Sequence, residues 1–302
     1  MGDANGVSMV VKPDEELAKR FEVLIGDSTK SENDVQTFLE EHTEFLIPSW
    51  FQNHPIAMNS VIAKFPIGGR TADFAWLMSD SATWFLVLVE IESPHKKLFS
   101  GSSKHVKPSS DFEDALNQTH VWKEFFIDHP AEVRESIRPL LVPLGRERNT
   151  LKLRRVLIIG RSADHEASEA RRKRVATLED DHTIKILTYD SLLGHYRRGQ
   201  GEKRCVLSPR GAGFVIKRMD AFPERMFAYL RPEHLQIPQH FTAELEEAGY
   251  QMKEWLNNKP LIFDDRWATK PKGWDDDGML NRVYGVAMDA VEKGRSSRAA
   301  KR

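Results

Sequence analysis

Two hydrophobic periods organise this chain. In "DEELAKRFEVLIG", Leu17, Phe21, Leu24 and Ile25 recur at intervals of three and four, which predicts a helix ending at Gly26. "SENDVQTFLEEHTEFL" predicts a second helix: Ser31 and Asp34 form a capping-box pair, and Val35, Phe38, Leu39, His42 and Leu46 make one stripe. Beyond it the period shortens to two. "SVIAKFPI", a Gly68-Gly69 turn, "RTADFAWLM", a polar turn at Ser79 to Ala82 and "TWFLVLVEIE" read as a three-strand meander. Its third strand is apolar on both faces, as a central strand covered by helices should be.

A polar, basic loop, "HKKLFSGSSKHVKPSS", leads to a helix in "DFEDALNQTHVWKEFF", capped near Ser110 and ended before Pro130. "RRVLIIG" then reads as a buried strand, the arginine-rich stretch from about Asp164 to Glu179 as a helix, and "IKILTYD" as another strand. This alternation implies an α/β fold, a central mixed sheet flanked by helices. From about Arg197 the character changes. "RRGQGEKR" is a hinge candidate, "GFVIKR" a short strand, and the remainder reads as helical pieces broken by Pro223, Pro232, Pro238 and Pro260. "FTAELEEAGYQMKEWL" and "MLNRVYGVAMDAVEKG" are the clearest of them. The expected plan is a tail and helix over 1–30, a sheet-bearing domain over 31–196, and a largely helical region over 197–302.

Composition narrows the class without naming a function. The 302 residues are 40% hydrophobic and 29% charged, ordinary for a globular protein, with a net charge of −1. That total conceals basic residues crowded between Arg134 and Arg174 and acidic ones between Glu244 and Asp277, so a polyanionic partner stays open. The single cysteine, Cys205, has no internal disulfide partner, and no apolar run is long enough to span a bilayer. A soluble, cytoplasmic protein without a membrane partner is expected.

The chemistry gathers at the end of the third strand. Trp84, Leu86, Leu88, Glu90 and Glu92 alternate onto one face, so two carboxylates emerge together. Asp73 sits between Ala72 and Phe74 near the start of the preceding strand, which a meander sets beside Glu90. Unpartnered buried carboxylates are costly and repel one another, and a divalent cation resolves both problems. A small set of hard oxygen ligands suits Mg²⁺ or Mn²⁺, whose sites commonly act on phosphates. On the next predicted helix Gln118 shares a face with Ala115, Trp122 and Phe125, which turns its amide toward the sheet.

In this order, a first-helix Glu32, Asp73 on a hairpin strand, Glu90-x-Glu92 closing the next strand, and helical Gln118 resemble the PD-(D/E)XK nuclease superfamily, with its restriction-endonuclease-like fold. More narrowly, "VQTFLEEHTEFL", "TADFAW", "LVLVEIESPHKKLF", "DALNQTHVWKEF", "VLIIGR" and "ILTYDSLL" resemble the Shedu family of anti-phage defence proteins, over roughly Glu32 to Leu193. The resemblance implies a metal-dependent DNA nuclease acting on phage or plasmid DNA, commonly a homo-oligomer, here a dimer or tetramer. It assigns Asp73 and Glu90 as metal ligands, with Gln118 and Glu32 in support, and makes residues 31–196 the nuclease domain. Residues 197–302 would then serve oligomerisation or sensing.

One position departs from the pattern. Where the superfamily carries lysine this chain has Glu92, which cannot donate a hydrogen bond when ionised and is therefore expected to act as a further ligand to the metal or its water. Lys96 or Lys97 could supply the missing cation, and Lys96, Lys97, Lys104 and Lys107 are the candidate DNA contacts. The arginine-rich "EARRKR" segment reads as a solvent face, "WDDDG" at Trp274 to Gly278 as a helix cap, and His95, His105 and Cys205 as structural. Two other readings stay open: a catalytically impaired nucleic-acid-binding or sensing relative, and an assembly protein whose acids are merely solvated.

Overall fold

A computed structural model describes residues 12–47, 58–100, 106–141, 147–219 and 230–259. The chain divides into two compact units, one spanning Ser8–Gln236 and the other taking in the described residues from Ile237 onward.

The first unit opens with α1 (Glu15–Gly26) and α2 (Glu32–Glu41), the latter started by the Ser31–Asp34 capping box. The meander follows as β1 (Ser60–Ile67), β2 (Arg70–Ser79) and β3 (Thr83–Ile91). A small antiparallel pair, β4 (Phe99–Ser100) and β5 (Lys107–Pro108), precedes the long α3 (Ser110–Asp128) and α4 (Pro130–Leu141). Next come β6 (Thr150–Ile158), the short α5 (Ser162–His165), α6 (Glu169–His182), β7 (Ile184–Leu187) and α7 (Tyr189–Arg197). Three further strands close the unit: β8 (Cys205–Arg210), β9 (Gly213–Arg218) and β10 (Leu235–Gln236).

Among the described residues, eight strands form one mixed sheet in the order β10-β9-β8-β1-β2-β3-β6-β7. The β1–β2, β2–β3 and β8–β9 pairs are antiparallel; β3–β6, β6–β7, β1–β8 and β9–β10 are parallel. Alternation in β3 divides two apolar layers. Val87, Val89 and Ile91 join a core with Phe21 of α1, Phe38 of α2 and Tyr189 of α7. On the other face Trp84, Leu86 and Leu88 are fully buried, and there a second core gathers Leu157 of the neighbouring β6 with Phe112 and Leu116 of α3 and Val175 of α6. The third strand is thus central and covered on both faces, as its apolar run predicts.

Four expectations about elements change. Part of the region after 197 still builds the sheet: β8, β9 and β10 belong to it, β8 pairs with the outer edge of β1, and the compact unit runs on to Gln236. "IKILTYD" stops being a strand at Leu187, because Thr188 caps α7 by accepting from the Ser191 amide. The arginine-rich stretch is two helices, with Ser168 capping the second. In the second unit, "FTAELEEAGYQMKEWL" is α8 (Gln239–Glu247) and α9 (Met252–Leu256), separated where Gly249 takes a φ of +96°. The segments "WDDDG" and "MLNRVYGVAMDAVEKG" lie outside the described residues.

Candidate active site

The site begins with a tight turn. Gly68 and Gly69 both take positive φ, +58° and +71°, the conformation a two-residue hairpin turn demands and glycine adopts without a steric penalty. The turn fixes the register, with Ile67 opposite Arg70, Pro66 opposite Thr71 and Phe65 opposite Ala72. Pairing is then interrupted for one step and resumes at Ala63 and Phe74. Lys64 and Asp73 face each other across that gap. Lys64 Nζ donates to Asp73 Oδ1 at 2.7 Å, and the Ile91 amide of β3 donates to Oδ2 at 2.9 Å, so both oxygens of the buried Asp73 are engaged.

β2 and β3 are registered through Phe74 and Val89, which sets Asp73 and Glu90 on neighbouring strands one step further on. Glu90 is only 6% exposed. Its Oε1 accepts from Gln118 Nε2 of α3, while its Oε2 is buried with no hydrogen-bond partner. Burial, then the charges of Asp73, Glu92 and Glu32, pushes the Glu90 carboxyl up to about 9. At neutral pH it therefore holds a proton.

Just beyond β3, Glu92 is anchored by its backbone: its amide donates to the Ile158 carbonyl at 2.8 Å, and its carbonyl accepts from Tyr189 Oη at 2.6 Å. Lys96 Nζ lies 2.5 Å from Glu92 Oε2. Burial alone would lower the Lys96 ammonium, but the Glu92 contact outweighs it and the net shift is upward. Glu32, in the first turn of α2, is pushed to about 7 by burial and then by Glu92 and Asp73. Those mutual effects bring all four carboxylates into one electrostatic cluster. Burial first, and then the charges of Glu32, Asp73 and Glu92, also raise the Tyr189 hydroxyl.

Residues 29–193, which contain every residue of this cluster, match the family model described as Shedu protein SduA, C-terminal. The chain belongs to the Shedu family. Membership implies a part in anti-phage defence. No curated protein matches the chain.

A carboxylate cluster asks what could balance it. Among the described residues of this Shedu chain, no group of three or more His, Cys, Asp or Glu side chains is gathered closely enough to hold a metal ion. The acids are instead shared out: Asp73 to Lys64, Glu92 to Lys96, and one oxygen of Glu90 to Gln118. Mg²⁺ asks for less than an all-protein cage, since one or two carboxylates with waters and substrate oxygens complete its shell. The unpartnered Glu90 Oε2 beside Asp73 is a donor pair of that chemistry.

The basic loop borders a cavity of about 860 Å³ lined by His95, Lys96, Lys97 and Arg171, with Asp111 and Asp164 among its acids. Lys97 and Lys107 are exposed and Lys96 is half-buried; Lys104 and His105 lie outside the described residues. Arg172, Lys173 and Arg174 of α6 face solvent, and Cys205 is a buried free thiol. No helix among the described residues is long and apolar enough to cross a membrane. Two side chains bound to this cluster are not marked by the sequence patterns, Lys64 and Tyr189. Counting back four pairs from the Gly68-Gly69 turn reaches Lys64; Tyr189 carries no such signal.

Proposed function

We propose that this Shedu protein is a divalent-metal-dependent DNA endonuclease with a restriction-endonuclease-like, PD-(D/E)XK core. The observation that carries the reading is Glu90: a carboxyl 6% exposed at the end of the central strand, one oxygen unpartnered, with Asp73, Glu92 and Glu32 raising its proton affinity. A fold does not maintain such a cluster for stability, because each buried like charge costs free energy.

Asp73 and Glu90 would hold Mg²⁺ or Mn²⁺, with Glu92 as a further ligand to the ion or its water, and the bound ion would polarise the scissile phosphate and acidify a water. The chain's own groups do the rest. Gln118 fixes the rotamer of Glu90 by donating to Oε1. Glu92 accepts the proton of the attacking water as its oxygen bonds to phosphorus and the ester P–O bond breaks; the departing oxygen takes a proton from solvent. Glu32, titrating near 7, shares that proton load. Lys96, Lys97, Lys104 and Lys107 neutralise backbone phosphates along the loop. The enzyme acts in the cytoplasm as a homo-oligomer on phage or plasmid DNA.

The test is incubation of plasmid and linear DNA with Mg²⁺ or Mn²⁺, with and without a chelator, for the wild type and Glu90→Ala. Metal-dependent cleavage that disappears in the variant supports the reading. Phage protection that survives Glu90→Ala in vivo overturns it. A second reading, a non-cleaving DNA binder or sensor, draws on Glu92 standing where lysine is expected, with Lys96 tied to it at 2.5 Å; it predicts protection that survives the same substitution.

A further inference from the structure

Lys64 has a backbone that its strand does not explain. It lies inside β1, yet its φ is +54°, the left-handed region that an L-residue with a Cβ enters only at a cost. Its flanking neighbours Ala63 and Phe65 pair normally with β2, and only the step opposite Asp73 is broken. Strain confined to one residue persists when the surrounding structure imposes it, and such residues concentrate at working sites. What the distortion achieves is visible: the Lys64 ammonium is set 2.7 Å from Asp73 Oδ1, with half of its side chain in contact with solvent while the Asp73 side chain is 9% exposed. Its charge also reaches Glu90, where it opposes the upward push of the other acids.

We propose that Lys64 is the site's missing motif cation, an ammonium that neutralises Asp73 in the resting protein and turns to the phosphate once a divalent ion occupies the Asp73 oxygen. The inference rests on the nuclease reading above and deepens it. Lys96 is the other nearby candidate, but its ammonium is held by Glu92 rather than by Asp73. Lys64 lies on the strand beside the one that carries Asp73, is exposed enough to move, and is paired with Asp73, one of the two principal proposed ligands, whereas Lys96 is paired with Glu92, the supporting one.

The role gives Lys64 two opposed effects. While paired to Asp73 it competes with the cation, and after the ion binds it stabilises negative charge on the substrate. Lys64→Met, which keeps the chain length and removes the charge, is therefore expected to bind Mn²⁺ about two- to fivefold more tightly in calorimetric titration without DNA, the worth of a partly exposed ion pair. The same variant is expected to cleave plasmid DNA about 100-fold more slowly, the effect of removing one electrostatic donor from a transition state. Lys64→Arg, which keeps the charge, should recover part of that rate. Should Lys64→Met not fold, Lys64→Gly gives the same two readings on a residue suited to positive φ.

Weaker Mn²⁺ binding together with slower cleavage would show that Lys64 only holds Asp73 in place, and unchanged cleavage would show that it has no part in the reaction; either overturns this inference alone. A wild type that neither binds Mn²⁺ nor cleaves DNA overturns the functional reading and this inference with it.

Discussion

Gln118 of α3 holds one oxygen of Glu90 of β3 across 28 residues of sequence, and the second oxygen of that carboxyl is left buried without a partner. The pair makes Glu90 a group of two states. Protonated, it is a tolerable neutral side chain against its helix. Ionised, it needs a cation.

Replacing Glu90 by Gln should therefore separate stability from activity. Its carboxyl has an ordinary value of 4.5 and is raised to about 9 in the fold, so the unfolded chain loses this proton first as pH rises. The stability contributed by the protonated form is complete below about 4.5 and is lost as pH climbs toward 9. Glu90→Gln has no such loss. Thermal unfolding should find it equal to wild type near pH 4 and more stable by roughly 1–3 kcal/mol near pH 9, the cost of an unsatisfied buried group. Cleavage should be absent at either pH.

Metal binding should report the same proton. Below about 9 an ion must displace the proton of Glu90, so Mn²⁺ affinity is expected to rise by up to about tenfold per pH unit between 7 and 9. Calorimetry in buffers of different ionisation enthalpy should count close to one proton released at pH 8. Glu90→Gln should abolish both the release and the slope.

Gln118→Ala removes the donor to Glu90 Oε1 and leaves both oxygens of the carboxyl without a protein partner. The expected cost is roughly 1–3 kcal/mol. Cleavage should fall while DNA affinity, measured in calcium without turnover, stays within about twofold, since the lysine-bearing loop is untouched.

The approach of the Lys96 loop to β6 gives a steric test. Gly160 has a φ of +63°, and a Cβ there would sit 2.6 Å from the Lys96 carbonyl oxygen and 2.7 Å from Leu98 Cδ1. A backbone oxygen cannot swing aside as a side-chain end can. Gly160→Ala should cost roughly 1–3 kcal/mol and weaken DNA binding by displacing Lys96, read as a lower melting temperature and a larger dissociation constant.

Phosphate contacts by the loop would appear in the salt dependence. Lys97→Ala and Lys107→Ala should each reduce the slope of log affinity against log salt by about 0.9, and the double variant by about 1.8. Substitution of Lys173, which faces solvent on α6 and pairs with Glu169 at 2.7 Å, should leave that slope unchanged.

What the sequence made legible follows from which forces are local. The polar turn at Ser79 to Ala82 folds β3 back along β2, which is why the Asp73–Glu90 approach was visible from the meander, and the helical spacing of Gln118 with Ala115 and Trp122 was enough to aim it at the sheet. Lys64 was countable from the Gly68-Gly69 turn, but a charged residue among apolar strand positions reads as an ordinary exposed lysine until its partner is identified. The parallel pairing of Cys205 with Ser60 left no local trace, since nothing in a six-residue strand says which distant edge it joins. Boundaries were lost where one polar side chain decides them, as with Thr188 and Ser168.

That β1–β8 pairing bears on the order in which a ribosome delivers the chain. Lys64 and Asp73 emerge early, but the outer edge of their hairpin stays open until Cys205–Leu207 arrive to pair with Ser60–Ile62. Contacts of such long sequence separation form late, and an open strand edge in the meantime invites pairing with another chain. A fragment ending at Arg197, the boundary suggested by composition, should therefore aggregate. A fragment ending just after Gln236 keeps all eight strands of the sheet and the whole compact unit, and should stay soluble.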